Sequence, residues 1–116
     1  MNHEINFLID LDSENFPEKI SWKAEGSGQI TYKEAKALLI ALWDREENVT
    51  LAIDLWTKDM LVNEMNALYY QAFIHLSESY KRATSDEDAS KFLRESAEKF
   101  ADLVHLKEEP TPTTEP

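Results

Sequence analysis

Apolar and polar residues alternate along three stretches of the chain, which is the pattern of a β-strand with one buried face. The first stretch covers residues 4–12, the second residues 20–24 and the third residues 49–56. Between the first two, residues 13–18 include Pro17, which fixes its own φ and favours a turn. The first two strands are therefore expected to form an antiparallel hairpin.

Apolar residues recur at intervals of three and four in three other stretches, which predicts helices. The first helix is expected to start at Thr31, with Glu34 completing a capping box, and to end near Trp43. A long helix is predicted over residues 62–83, and a last helix after a capped start at Ser85. The buried stripe expected on the long helix is Val62, Met65, Tyr69, Ala72, Phe73, Leu76 and Tyr80.

The order β-β-α-β-α-α predicts an α+β fold with a small three-stranded, mostly antiparallel sheet. A right-handed crossover through the first helix would make the second and third strands parallel, with the first strand between them. The helices are expected to pack on one face of this sheet. Residues 1–106 are predicted to form a single domain. Residues 107–116, rich in proline, threonine and glutamate, offer nothing to bury and are expected to be disordered.

The charge of the chain narrows the classes of partner. Its 116 residues include 23 Asp and Glu but only 12 Lys and Arg, a formal net charge of −11. Such a surface repels phosphates, which argues against nucleic acid and anionic lipid as partners. The chain has no cysteine and no apolar run that approaches the ~20 residues of a membrane span, and its first residues are not expected to be a secretory signal. We therefore expect a cytoplasmic protein without membrane insertion.

No sequence motif points to catalysis, a metal or a cofactor. Asp10 and Asp54 are candidate cross-strand neighbours, although solvated strand charges are the better interpretation for an open sheet face. His3, His75 and His105 lack the spacing of a metal site. We therefore predict a protein that is not an enzyme, with no catalytic, metal-binding or cofactor-binding residue.

Exposed apolar residues are the stronger candidates for function, because a surface tryptophan beside other apolar groups is typical of a protein contact. Trp56 falls on the face of the predicted sheet that meets solvent, unless a loop, the tail or the region of Tyr32 covers it. The long helix carries a second apolar stripe, which a second subunit would cover in a homodimer. The candidate contact residues are Leu8, Trp43, Ala52, Trp56 and Leu68.

Four segments resemble the family of the gliding-motility protein GldC. They are residues 49–60, 34–44, 16–22 and 78–84, and the similarity extends over nearly all of residues 4–106. The string from Ile53 to Met60, Ile-Asp-Leu-Trp-Thr-Lys-Asp-Met, is the most specific part. The resemblance implies a cytoplasmic accessory protein of bacterial gliding, whose machinery is linked to protein secretion. It carries no catalytic residues over to this chain.

Two functions remain as hypotheses at this point. The favoured one is a non-enzymatic accessory protein that binds a protein partner of the gliding or secretion machinery. The alternative is a small acidic chaperone or ligand-binding module linked to secretion, with an apolar groove for an unfolded segment or an apolar ligand.

Overall fold

A computed structural model describes residues 1–106, so the predicted disordered tail, 107–116, lies outside the described residues. The fold is α+β, with five strands in two antiparallel sheets and two helices in the described part of the chain. It divides into two compact units, Met1–Met60 with the strands and a second unit from Leu61 with the helices. The elements are β1 (Ile5–Leu11), β2 (Pro17–Ala24), β3 (Lys33–Ala35), β4 (Ala37–Trp43), β5 (Thr50–Trp56), α1 (Val62–Thr84) and α2 (Glu87–Leu103).

The first sheet has the order β1-β2-β3, with all neighbours antiparallel. The hairpin predicted from the first two alternating stretches is confirmed. The central strand is β2, however, and the prediction that the first strand lies in the middle was wrong. Ile20 on β2 faces Ile9 on one side and Ala35 on the other, and only 1% of its surface is exposed. This sheet therefore packs most tightly around Ile20.

The segment predicted as the first helix forms β3 and β4 instead. Its apolar residues have helical spacing, but they also form a nearly continuous apolar run, and a short run of this kind is compatible with a strand. The chain downstream decides between the two, because β5 pairs with β4 along its length, from Ala37 opposite Trp56 to Trp43 opposite Thr50. The predicted parallel crossover is therefore replaced by a β4–β5 hairpin, and the predicted third strand is confirmed as β5.

A bend at Lys36 separates β3 from β4 and marks the junction of the two sheets. Buried Thr57 holds this bend, since its backbone N–H donates to the carbonyl of Lys36 at 2.8 Å. Its hydroxyl lies 3.2 Å from the same carbonyl oxygen. One segment, residues 33–43, thus takes part in both sheets through a fixed bend.

Both downstream helices are confirmed, although their boundary differs from the predicted cap. Ser85 ends α1 with a left-handed φ of 61°, and its N–H donates to the carbonyl of Lys81. Asp86 caps α2 instead, because its carboxylate accepts the N–H of Ala89 at 3.0 Å. The two helices are therefore joined by a very short connection and form an antiparallel hairpin.

Small side chains fill the seam between the two helices. Ala97 and Ala101 of α2 are fully buried, and the Ser90 hydroxyl donates to the carbonyl of buried Ser77 at 2.8 Å. The large residues of the predicted stripe on α1 are more exposed than this seam. The prediction of a buried stripe on α1 was therefore wrong, since Val62, Tyr69, Phe73, Leu76 and Tyr80 are exposed and Met65 and Ala72 half-buried.

The residues predicted to face the core from β1 are also largely accessible. Ile5, Phe7 and Leu11 are exposed, while Ile9 is half-buried. The packing of helices on a sheet face and the assignment of residues 1–106 to a single domain stay predictions.

Candidate functional site

The β4–β5 hairpin, called the ribbon below, is largely apolar on both faces. On its aliphatic face, leucine and isoleucine pair with each other across the strands. Burial along this face falls from Leu38, which is 9% exposed, to Leu42, which is 56% exposed next to the turn. A two-stranded hairpin is marginal in water without further packing. The residues of the aliphatic face are Leu38, Ile40, Leu42, Leu51, Ile53 and Leu55.

The opposite side of the ribbon, called the tryptophan face, brings together three predicted contact residues. Trp43 and Trp56 lie at its two ends and are 65% and 49% exposed. Between them, Ala52 lies opposite Ala41, and both alanines are exposed. The neighbouring pair on this face joins a leucine on β4 to Asp54, its one carboxylate. The two exposed indoles therefore flank a pair of alanines and one leucine–aspartate pair, and such an apolar surface is suitable for contact with another protein.

Leu8 and Leu68, the other two predicted contact residues, do not belong to this face. Leu8 is half exposed on β1, opposite Ser21 in the first sheet. Leu68 is half-buried on α1, in the helical unit. The alternating pattern of β1 predicted that Leu8 is accessible. It could not predict which sheet contains Leu8, because alternation does not show which strands pair with each other.

The most family-specific string of the sequence lies at the junction of the two sheets. Lys58 binds Asp12 of the first hairpin, with Nζ and Oδ2 2.8 Å apart, and lies 5.3 Å from the ring centre of Phe16. The Thr57 hydroxyl donates to Asp59. This hydrogen bond is the main cause that lowers the pKa of Asp59, and the charge of Lys36 contributes less. These contacts give the Thr-Lys-Asp part of the string a role in positioning the ribbon.

Asp12 is a well-satisfied carboxylate at this junction. Besides binding Lys58, it accepts the backbone N–H groups of Glu14 at 2.8 Å and Phe16 at 3.0 Å. The hydrogen bond from Lys58, followed by those from the N–H groups of Phe16 and Glu14, lowers the pKa of Asp12 from 3.8 to about 2. The charged form of Asp12 therefore stabilises the folded first unit.

The lowered pKa of Asp12 makes a prediction about acid stability. Because the folded state holds the charged form, the contribution of Asp12 is complete above pH 3.8 and is lost as the pH falls towards 2. We expect Asp12→Asn to be less stable than the wild type at neutral pH, with the difference shrinking between about pH 4 and pH 2. Urea denaturation of both proteins over this range measures it. A stability difference between the two proteins that persists at pH 2 would contradict the assignment.

The helical unit exposes an apolar surface of its own. Tyr69, Phe73, Leu76 and Tyr80 follow one another on α1 at intervals of three and four, and each is more than one-third exposed. The rings of Phe73 and Phe100 are 6.2 Å apart between centres, so the stripe continues onto α2. The helical hairpin thus has an aromatic side next to its seam of small residues.

The candidate acidic pair is not assembled. Asp10 lies opposite Lys19 in the first sheet, and Asp54 lies opposite Leu39 in the ribbon. Within residues 1–106, no three His, Cys, Asp or Glu side chains are placed to hold a metal ion. The helices of the same range are too short or too polar to cross a membrane.

Comparison with known families gives a match over most of the chain. Residues 17–106 match the family described as gliding motility-associated protein GldC-like. The chain belongs to the GldC-like family. No curated protein and no solved structure matches significantly.

The GldC-like region contains the ribbon, the Thr57–Asp59 junction and both helices, whereas β1 precedes it. The family resemblance of the sequence is thereby confirmed. Sequence reasoning missed the ribbon as a site because it placed Trp43 at the end of a helix. A signal was available, since Ala37–Trp43 contains no polar side chain on either face apart from the indole N–H. That composition fits a strand that is apolar on both sides.

Proposed function

We propose that this GldC-like protein is a non-enzymatic accessory component of bacterial gliding that acts in the cytoplasm by binding another protein of the gliding or secretion machinery. Membership of a gliding motility-associated family supports the process. The tryptophan face supports the mode of action. Its two exposed indoles, Trp43 and Trp56, are the type of side chain that dominates the energy of protein contacts.

The composition of the tryptophan face also bears on the partner. Its alanines leave a flat strip, Asp54 adds a negative charge beside them, and the adjoining turn, residues 44–47, is acidic with one arginine. A partner that combines an apolar segment with basic flanks would match these features. We place the contact on Trp43, Ala52 and Trp56, which share one face, and treat Leu8 as a comparison site on the other sheet.

The test is genetic and uses matched variants. Deletion of the gene is expected to reduce colony spreading, and wild-type protein should restore it. A Trp43→Ala and Trp56→Ala double variant should fail to restore spreading while it accumulates normally, because the contact is lost and the fold is kept. Leu8→Ala, with a similarly exposed apolar residue on β1, should restore it. Normal spreading in the deletion strain would refute the proposed process, and full restoration by the double variant would refute the surface.

The aromatic side of the helical hairpin favours a second candidate, a small acidic chaperone. Exposed Tyr69, Phe73, Leu76 and Tyr80 offer a broad apolar surface that fits many unfolded segments. In that case the purified protein should keep an unfolded apolar polypeptide soluble, and Leu76→Ser should weaken this activity. A protein without such activity, but with a motility phenotype that depends on the two tryptophans, would support the accessory role alone.

A further inference from the structure

The outer edge of β4 has backbone groups that point away from β5. Two hydrogen bonds fix the direction: the Asp44 N–H donates to the Val49 carbonyl at 2.9 Å, and the Thr57 N–H donates to the Lys36 carbonyl at 2.8 Å. Because successive residues of a strand direct their N–H and C=O groups to opposite sides, the odd-numbered residues of β4 point outward. Within residues 1–106, β4 pairs with β5 alone. The outward residues are Ala37, Leu39, Ala41 and Trp43.

This edge has none of the usual protection against pairing. Exposed edge strands of soluble proteins ordinarily carry a charge, a proline or a bulge that discourages another strand. The sequence of β4, Ala-Leu-Leu-Ile-Ala-Leu-Trp, has no charge and no proline, and its register with β5 is regular. We propose that β4 pairs antiparallel with β4 of a second copy of this chain, so that two ribbons form one four-stranded sheet across a two-fold axis.

Side-chain sizes select one register for this pairing. With the axis at Ile40, Leu39 lies opposite Ala41 of the second copy, and Trp43 lies opposite Ala37 of the second copy. Every large side chain that β4 places on the tryptophan face then meets a small one, which allows close packing. With the axis at Ala41, Leu39 would instead meet Trp43, and the alanines at the axis would meet each other. The alternation of sizes along β4 thus favours the register centred on Ile40.

The same register is favourable in charge. It sets Lys36 opposite Asp44 of the second copy, and it sends the two acidic turns to opposite ends of the sheet. This matters for a chain with a net charge of −11, since two copies otherwise repel each other. Pairing through β5 is less favourable, because a two-fold axis at Ile53 brings two Asp54 residues within roughly 7–8 Å on one face. The charges therefore favour the β4 edge over this register of the β5 edge.

The contact is expected to be of moderate strength. A standard interface buries about 800 Å² from each partner, and an edge of one short strand covers less than that. The second copy is expected to bury part of Leu39, Leu42 and Trp43, which are 40%, 56% and 65% exposed in the single chain. We expect a dissociation constant on the order of 10 μM. This self-association does not depend on the proposed role in gliding.

A matched pair of proline variants tests the edge. Ala41 and Ala52 lie opposite each other in the ribbon, both are exposed, and by the alternation of the strands both direct their N–H outward. Ala41→Pro removes a donor from the β4 edge, and Ala52→Pro removes the equivalent donor from the β5 edge. Sedimentation equilibrium of the full chain from about 1 to 500 μM measures the dimer. We expect Ala41→Pro to weaken it at least tenfold and Ala52→Pro to leave it within about twofold.

Other outcomes are decisive as well. A wild-type chain that stays monomeric throughout the concentration range overturns the proposal, and so does a dimer that only Ala52→Pro dissociates. Equal loss in two well-folded proline variants also overturns it. Should Ala41→Pro fail to fold by circular dichroism, Ala41→Lys replaces it, since two lysines near the axis repel without removing a backbone donor. Hydrogen exchange gives an independent readout, because the amides of Leu39, Ala41 and Trp43 should become protected as the dimer forms.

Discussion

Replacement of Ile20 by alanine is expected to lower the free energy of unfolding by about 2–5 kcal/mol, the usual range for removing a buried branched side chain. Ile20 is the largest fully buried side chain of the strand unit, and it sits on the central strand of the first sheet. Its loss would leave a cavity next to Ile9 and Ala35, its neighbours on both flanking strands. The variant is therefore expected to weaken the pairing of β2 with both β1 and β3.

Tryptophan fluorescence is the appropriate readout for this variant. Trp22, Trp43 and Trp56 all lie in Met1–Met60, so the fluorescence transition in urea follows the strand unit. Ile30→Ala is the matched control, since Ile30 is 84% exposed and its truncation should change the midpoint very little. Equal midpoints for the two variants would contradict the central position given to Ile20.

Replacement of Ala97 by leucine should destabilise the helical hairpin by about 1–3 kcal/mol, because a larger side chain cannot enter a tightly packed seam without moving it. Ala97 has no exposed surface and belongs to the same seam as Ala101 and Ser77. The hydrogen bond from Ser90 to the carbonyl of Ser77, at 2.8 Å, depends on this close approach. We expect Ala97→Leu to break this hydrogen bond together with the close packing of the two helices.

The helical signal in far-ultraviolet circular dichroism measures this effect, since both helices lie in the second unit. Ser96→Leu is the control one position away, because Ser96 is a small residue at a half-buried position of the same helix. Ser96→Leu introduces the same leucine as Ala97→Leu. Because leucine favours a helix at least as strongly as serine does, a loss of stability in Ser96→Leu cannot come from helix propensity. If Ser96→Leu lowered the stability more than Ala97→Leu, the face of α2 that packs against α1 would have to be a different one.

The elements with a single periodic signal could be predicted from the sequence. Residues 4–12, 49–56 and 62–83 alternate or repeat clearly, and each forms the expected type of element close to the expected bounds. The region from Thr31 to Trp43 could not be assigned in this way. Its leucines satisfy the helical period, and local preference for a helix was overruled by pairing with β5, which is a tertiary effect.

The candidate site shows the same contrast between residues placed by a local pattern and residues placed by strand pairing. Trp56 and Ala52 were predicted on an accessible face because they alternate on one strand, and they share the tryptophan face of the ribbon. The place of Trp43 beside them depended on the missed strand. The large residues of α1 were expected to be buried because apolar spacing marks a helix face without specifying what covers it. In the helical hairpin the buried positions are serine and alanine instead, which the periodicity of large residues does not reveal.

The sheet order has a consequence for how the chain folds. Each strand pairs with a neighbour in sequence, as β1 with β2, β2 with β3 and β4 with β5, and the helices pair with each other in the same way. Such contacts close short loops, which costs little entropy and favours rapid folding. Each hairpin can form soon after its residues leave the ribosome. The ion pair between Lys58, at the end of the ribbon, and Asp12 of the first hairpin can form only once both hairpins are in place, and it is therefore expected as a later step.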